Sequence, residues 1–287
     1  MGNLIKIYTK IIKDNPNQVL KDMIKKSEIY SLFVQPEKEE NQKNKYSEKF
    51  RNLKILGIAP SYALLLYVFD KYPNDDFNEL LNFIENWFIR RNLTDYPATN
   101  KLDTLFLELI KLLQEKKHYS FETIKQFMTQ QKYYMNDEKF KEFLIKEPLY
   151  DINSGAIRYL LLKLEKSKRT RENDIDFIKR KGNNFVWSVE HILPQNPKEK
   201  SDWLKHFDKE DFKKYIHKLG NLTVTKYNSG LSNKDFSKKS KEGEGAYMTK
   251  NIQINSYIYE NHLTKWTKED IEKRGEILAD DIIKLLN

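Results

Sequence analysis

Trp187-Ser188-Val189-Glu190-His191-Ile192-Leu193-Pro194-Gln195 and Leu219-Gly220-Asn221-Leu222-Thr223-Val224-Thr225-Lys226-Tyr227-Asn228-Ser229-Gly230-Leu231-Ser232-Asn233 are the two stretches that decide the fold. The first alternates. Trp187, Val189 and His191 fall on one side and Ser188 and Glu190 on the other, the period of a strand. Pro194 has no backbone donor and stops the ladder. Leu219 to Thr225 is rich in Thr, Val and Leu and also reads as a strand. From Tyr227 to Lys239, apolar Leu231 and Phe236 sit among Ser, Asn and Lys, and the segment predicts a helix. Residues 196–218 read as a loop with one or two helical turns. The order is strand, loop, strand, helix, with a histidine at the end of the first strand. Adjacent strand residues face opposite sides. Glu190 and His191 therefore share a site only where the strand ends and the chain turns, as Pro194 suggests.

Glu-His-Ile-Leu-Pro-Gln at 190–195, followed by Asn221 and Asn228, resembles HNH nucleases of the ββα-metal (His-Me finger) fold. The longer pattern adds Leu-Gly-Asn-Leu-Thr at 219–223, Ser232-Asn233, Phe236 and Lys239. It resembles more narrowly the C-terminal domain of the GmrSD-like family, which comprises modification-dependent (type IV) DNA restriction enzymes and their anti-phage relatives. The resemblance implies a mainly α protein. A helical domain over 1–175 precedes a small ββα-metal nuclease domain over 176–287, which ends in a covering helix.

The implied reaction is phosphodiester hydrolysis, which needs a base to activate water and a cation at the leaving oxygen. His191 suits the base, because a neutral imidazole is available near pH 7. The resemblance assigns Asn221 to holding the loop and orienting the histidine, and Asn228 to the metal. Asn233 competes for the metal role; five residues apart on one helix, the two do not share a face. Glu190 and the Asn228 side-chain oxygen would serve a hard cation, magnesium or alternatively manganese, that keeps several waters. Many HNH nucleases carry Asp before the base, where this chain has the longer Glu190. Taken singly, each residue has a plainer reading: a strand histidine is usually packed, and an Asn after Gly220 is a turn residue.

The charge balance is compatible with a polyanionic partner. The net charge is +9 and the pI near 9.2. Lys226, Lys234, Lys238, Lys239 and Lys241 crowd the motif, opposed by Asp235. Lys226, Lys234 and Lys238 are candidates for holding a DNA backbone, and Lys239 for the scissile phosphate. The chain has no cysteine, which removes disulfides and a Cys-rich structural zinc site. Its longest apolar stretch, Ala63 to Phe69, is shorter than a membrane span, and no signal-peptide pattern opens the chain. A cytoplasmic location is expected.

Most of the remaining sequence has helical periodicity. Asn15-Pro16 interrupts an apolar pattern that begins with Leu4, Ile5 and Ile7 and continues through Val19, Leu20, Met23 and Ile24. Pro73-Asn74-Asp75-Asp76 reads as a turn before a helix start. Ile84-Glu85-Asn86-Trp87-Phe88-Ile89-Arg90-Arg91-Asn92 also resembles the family; its plainer reading is a buried helix with two arginines at its C-terminal end. Further helices are predicted around Leu102–Leu113, Phe121–Met128, Phe140–Leu144 and Ile157–Leu164. Thr267 and Asp270 predict a capping box for the last helix.

No glycine-rich phosphate loop is present. The family resemblance implies an NTP-binding sensor domain that nothing here resembles, so the expectation is a C-terminal fragment or a separate nuclease subunit. Two other classes stay open: a DNA-binding, regulated module inactive without that sensor, and a structural interaction domain. RNA remains open as a substrate beside DNA.

Overall fold

Helices start where the sequence supplies caps. Asn15 accepts a hydrogen bond from the Gln18 N–H at 3.2 Å and opens the helix Pro16–Val34, with proline in the first turn. Thr267 and Asp270 form the expected reciprocal capping box of the last helix, Lys268–Leu286. A computed structural model describes residues 6, 9–13, 15–72, 77–116, 120–173, 175–176 and 179–287. Leu4, Ile5, Ile7 and the turn expected at Pro73–Asp76 lie outside the described residues. The architecture is mainly helical with a few short strands. No helix among the described residues is long and apolar enough to cross a membrane.

The chain divides into two compact units. The first is Met1–Glu85 with Ala98–Gln130, and the second is Asn86–Pro97 with Gln131–Asn287. Residues 131–175, expected with the helical part, group with the hairpin residues. In the first unit the helix Leu102–Lys116 buries Leu102, Leu105, Phe106, Leu109 and Leu113, the stripe its spacing predicts. Phe33 is the buried residue of Pro16–Val34, while Leu20, Met23 and Ile24 are exposed.

In the second unit the two arginines of the aromatic segment are committed to the fold. Arg90 donates to the Met135 carbonyl (3.1 Å) and to Asp137 (2.8 Å), with its guanidinium over the Tyr134 and Phe140 rings. It therefore fastens a separate segment rather than its own helix end. Arg91 does serve the chain just beyond that helix, donating to the Pro97 carbonyl and to Asp95.

The two motif strands pair antiparallel as Ser188–His191 and Leu222–Thr225, with His191 opposite Leu222 and Glu190 opposite Thr223. The second strand is shorter than its composition suggests, because Leu219–Asn221 forms a 3₁₀ turn. A second, two-residue pair, Arg180–Lys181 with Asn184–Phe185, was not predicted. Between the motif strands lie the short helices Trp203–His206 and Lys209–Tyr215. They carry Trp203, Phe207 and Tyr215 into a core with Ile192, Leu193, Phe236, Tyr247, Trp266 and Ile271.

The single helix expected from Tyr227 to Lys239 is broken. Asn228–Leu231 forms one turn, Ser232 takes φ 43°, and a second helix runs Phe236–Lys241. With Leu231 and Phe236 as its buried apolar anchors, the segment has little to hold a continuous helix.

The last helix crosses the Leu219–Asn221 turn at close range. A Cβ on Gly220 would lie 1.8 Å from the Ile271 carbonyl oxygen, so this crossing needs glycine. Arg274, on the same helix, is fully buried and donates to the Gly220 (2.6 Å) and Leu222 (2.9 Å) carbonyls. Burial pulls its guanidinium pKa down to about 9.

Candidate active site

The hairpin end opens into a cavity of about 480 Å³ lined by Tyr150, Glu190, His191, Gln195, Asn228 and Asn233, among others. Glu190 and His191 both reach it because the strand stops at His191. The break at Ser232 has a parallel effect. It turns the chain so that Asn228 and Asn233 line one cavity, which a continuous helix would have prevented.

His191 is buried and held on both ring nitrogens. Its Nε2 lies 3.1 Å from His217 Nδ1, and its Nδ1 lies 3.0 Å from the Gln195 amide nitrogen. The Tyr150 ring meets it edge-on, with centroids 4.6 Å apart. Burial first, then the electrostatic influence of His217 and Lys239, pulls its pKa down to about 3. The imidazole is therefore neutral near pH 7, with both ring nitrogens engaged by neighbouring side chains.

Glu190 makes a buried ion pair with Lys239 at 2.6 Å, and the Tyr247 hydroxyl donates to the same Oε1 at 3.3 Å. Lys239 also donates to the His191 (2.7 Å) and Ile192 (3.3 Å) carbonyls. Burial pushes the carboxyl pKa up and the ammonium pKa down, while their mutual attraction opposes both shifts. This corrects the expectation for Lys239. It is fully buried and holds Glu190 and the end of the strand, so it is not placed to meet a phosphate. Both contacts to Glu190 fall on Oε1, and the carboxylate borders the cavity.

Asn221 sits away from the cavity, with its amide fully engaged. Its Oδ1 accepts from the Leu193 N–H (2.7 Å) and from Trp266 Nε1 (3.2 Å). Its Nδ2 donates to the Leu193 (3.0 Å) and Ile216 (2.8 Å) carbonyls. It thus ties the segment after His191 to the segment before His217. Asn228 is exposed, with its Nδ2 3.4 Å from the Val189 carbonyl, and Asn233 is half-buried. Lys226, Lys234 and Lys238 are exposed, and Lys226 lies over the Trp187 ring at 4.6 Å.

Sequence reading missed Tyr150 and Gln195, which line the cavity, and His217, which contacts His191. Gln195 carried a signal, since it closes the quoted motif. Tyr150 did not, because it lies on a separate turn that Asn153 divides from the predicted helix around Ile157–Leu164. His217 is set off from the second motif stretch by Lys218 alone, yet nothing in its surroundings distinguishes it from a surface histidine.

A neutral, oriented imidazole beside a carboxylate and two amides, on a hairpin end in a mainly helical protein, is a donor set suited to polar hydrolytic chemistry. The family of GmrSD restriction endonucleases, C-terminal domain, matches residues 134–281, and the chain belongs to it. A restriction-endonuclease function follows, with DNA as the substrate that class implies. No curated protein and no solved structure gives a match.

Proposed function

We propose that residues 176–287 form an HNH, ββα-metal nuclease domain and that the protein is a metal-dependent DNA endonuclease of type IV restriction or anti-phage defence. The observation that carries this reading is the convergence of Glu190, His191, Asn228 and Asn233 on one cavity at the hairpin end. The donor set fits a hard cation. One carboxylate and one amide oxygen, from Asn228 or from Asn233, are oxygen ligands of low total charge, suited to magnesium or manganese that retains water. Among the described residues no group of three His, Cys, Asp or Glu side chains could hold a metal, so that amide, water and the substrate would complete the shell. When bound, the cation would take up charge on the leaving oxygen.

In the proposed step the Gln195 amide gives way to the attacking water at His191 Nδ1, which takes the water's proton as its oxygen bonds to phosphorus. The bond from phosphorus to the leaving sugar oxygen then breaks, and that oxygen takes a proton from solvent water. Asn221 acts at a distance, by tying the segment after the base to the segment before His217. Lys226, Lys234 and Lys238 hold the DNA backbone. An NTP-binding sensor domain is the proposed partner, and the cytoplasm the proposed location.

The test is cleavage of supercoiled plasmid with magnesium, manganese or EDTA, by the parent protein and by His191→Ala. Metal-dependent nicking that His191→Ala abolishes supports the reading. Equal cleavage by a folded His191→Ala protein overturns it.

A further inference from the structure

We propose that His217 is a positioning residue of this site, holding the His191 ring in one tautomer and one orientation, and that Tyr150 and Asp151 hold His217 in turn. The proposal deepens the nuclease reading and relies on it for its kinetic arm.

The contacts form one chain of groups. The Gln195 amide nitrogen can only donate, so His191 Nδ1 accepts at 3.0 Å. A neutral His191 then carries its proton on Nε2 and donates it to His217 Nδ1 at 3.1 Å. That leaves the His217 proton on Nε2, 3.6 Å from the Asp151 carboxylate, an electrostatic contact rather than a hydrogen bond. Tyr150 fixes the rings sterically. It stacks on His217 at 5.5 Å with 16° between planes and meets His191 edge-on at 83°. The Tyr150 N–H also donates to the His217 carbonyl at 3.4 Å.

The support is itself anchored. Leu149 is buried, and Asn153 leaves helical geometry inside Leu149–Ser167 (φ −157°, ψ 91°). The Asn153 side chain accepts from the Ala156 N–H (2.9 Å) and donates to the Asn92 carbonyl (3.1 Å). Tyr150 and Asp151 thus sit on a separate turn anchored at both ends. Histidines in sites are commonly oriented by a hydrogen bond at their other ring nitrogen; for metal-bound histidines such a partner is worth about 10- to 100-fold in affinity or activity, and a similar size is taken for a histidine base. Ring packing alone would also bring these side chains together, so the test must separate packing from orientation.

In the full chain, His217→Ala is expected to lower kcat on plasmid DNA by about 10- to 100-fold with KM nearly unchanged. His217→Asn, whose amide nitrogen and oxygen reach the place of Nδ1, should recover most of that loss. Nitrogen-15 spectra of the imidazoles should show His191 as a single tautomer in the parent, mixed in His217→Ala and restored in His217→Asn. Unchanged kcat in His217→Ala overturns the proposal, as does a loss that His217→Asn shares while the His191 spectrum stays that of the parent. If the parent itself cleaves nothing, the nuclease reading falls separately, and the spectra still decide positioning. Mixing in His217→Ala upholds it and an unchanged tautomer overturns it.

Discussion

The two sides of the hairpin end treat polar residues in opposite ways. On the inner side, Asn221 has four hydrogen bonds to buried groups, Arg274 holds two carbonyls next to it, and Lys239 neutralises Glu190. On the cavity side, Asn228 and Asn233 are exposed or half-buried, and the open space before them is about 480 Å³. Residues of one motif are thus divided between holding the chain and remaining available to a ligand. Glu190 and His191 stand at the boundary, tied to the inner side yet bordering the cavity. Substitution on the inner side should therefore be read in stability, and substitution on the cavity side in activity.

The largest effect is expected at Asn221. Asn221→Ala strands the Leu193 N–H and carbonyl, the Ile216 carbonyl and the Trp266 indole N–H. At the low end of about 1 kcal/mol per stranded buried group, the loss is roughly 4 kcal/mol, a large share of a typical domain's stability. Urea unfolding measures it. A loss under about 1 kcal/mol would mean that water replaces the amide, and that the inner side is not closed.

Lys239→Met comes next, because it leaves the Glu190 carboxylate buried without its partner, at a cost of about 3–5 kcal/mol. The double variant Glu190→Met with Lys239→Met removes both charges and should recover most of that stability. It should not recover metal-dependent cleavage, since Glu190 is the proposed carboxylate ligand. A double variant that regains both would take Glu190 out of the metal site.

On the cavity side, Asn228→Ala and Asn233→Ala should each change stability by no more than about 0.5 kcal/mol. The residue that binds the cation should raise the magnesium concentration needed for half-maximal nicking, and the other should leave it unchanged. Equal, small effects from both would mean that neither amide is a ligand.

The inner side was in part legible in the sequence. Alternation and Pro194 located the strand and its end, and Thr267 with Asp270 located the start of the last helix. Those features act over a few residues, so local pattern reveals them. Three features were not legible. Lys239 belongs to a basic run on a short helix, and only tertiary packing shows that it faces Glu190 while Lys238 faces solvent. The approach of Tyr150 and Asp151 to His217 joins segments far apart in the chain, and nothing in their local pattern signals it. The break at Ser232 was hidden for a different reason. Its segment has weak apolar periodicity, so a helix and two short turns fit the same composition.

The smallest effect separates two adjacent lysines. Lys238 is exposed and Lys239 is fully buried, although both lie in the helix Phe236–Lys241. Lys238→Ala removes no interior contact, so its stability should match the parent within about 0.5 kcal/mol. If its ammonium meets a phosphate, the slope of log binding constant against log salt should fall by about 1, with affinity weakened evenly across DNA sequences. Lys226→Ala and Lys234→Ala should behave the same way. An unchanged slope in all three would remove the lysine run from the DNA path and leave the exposed charge as a solubility feature. A slope change in Lys226→Ala alone would place the backbone along the Trp187 end of the hairpin, where that ammonium already rests on the indole ring.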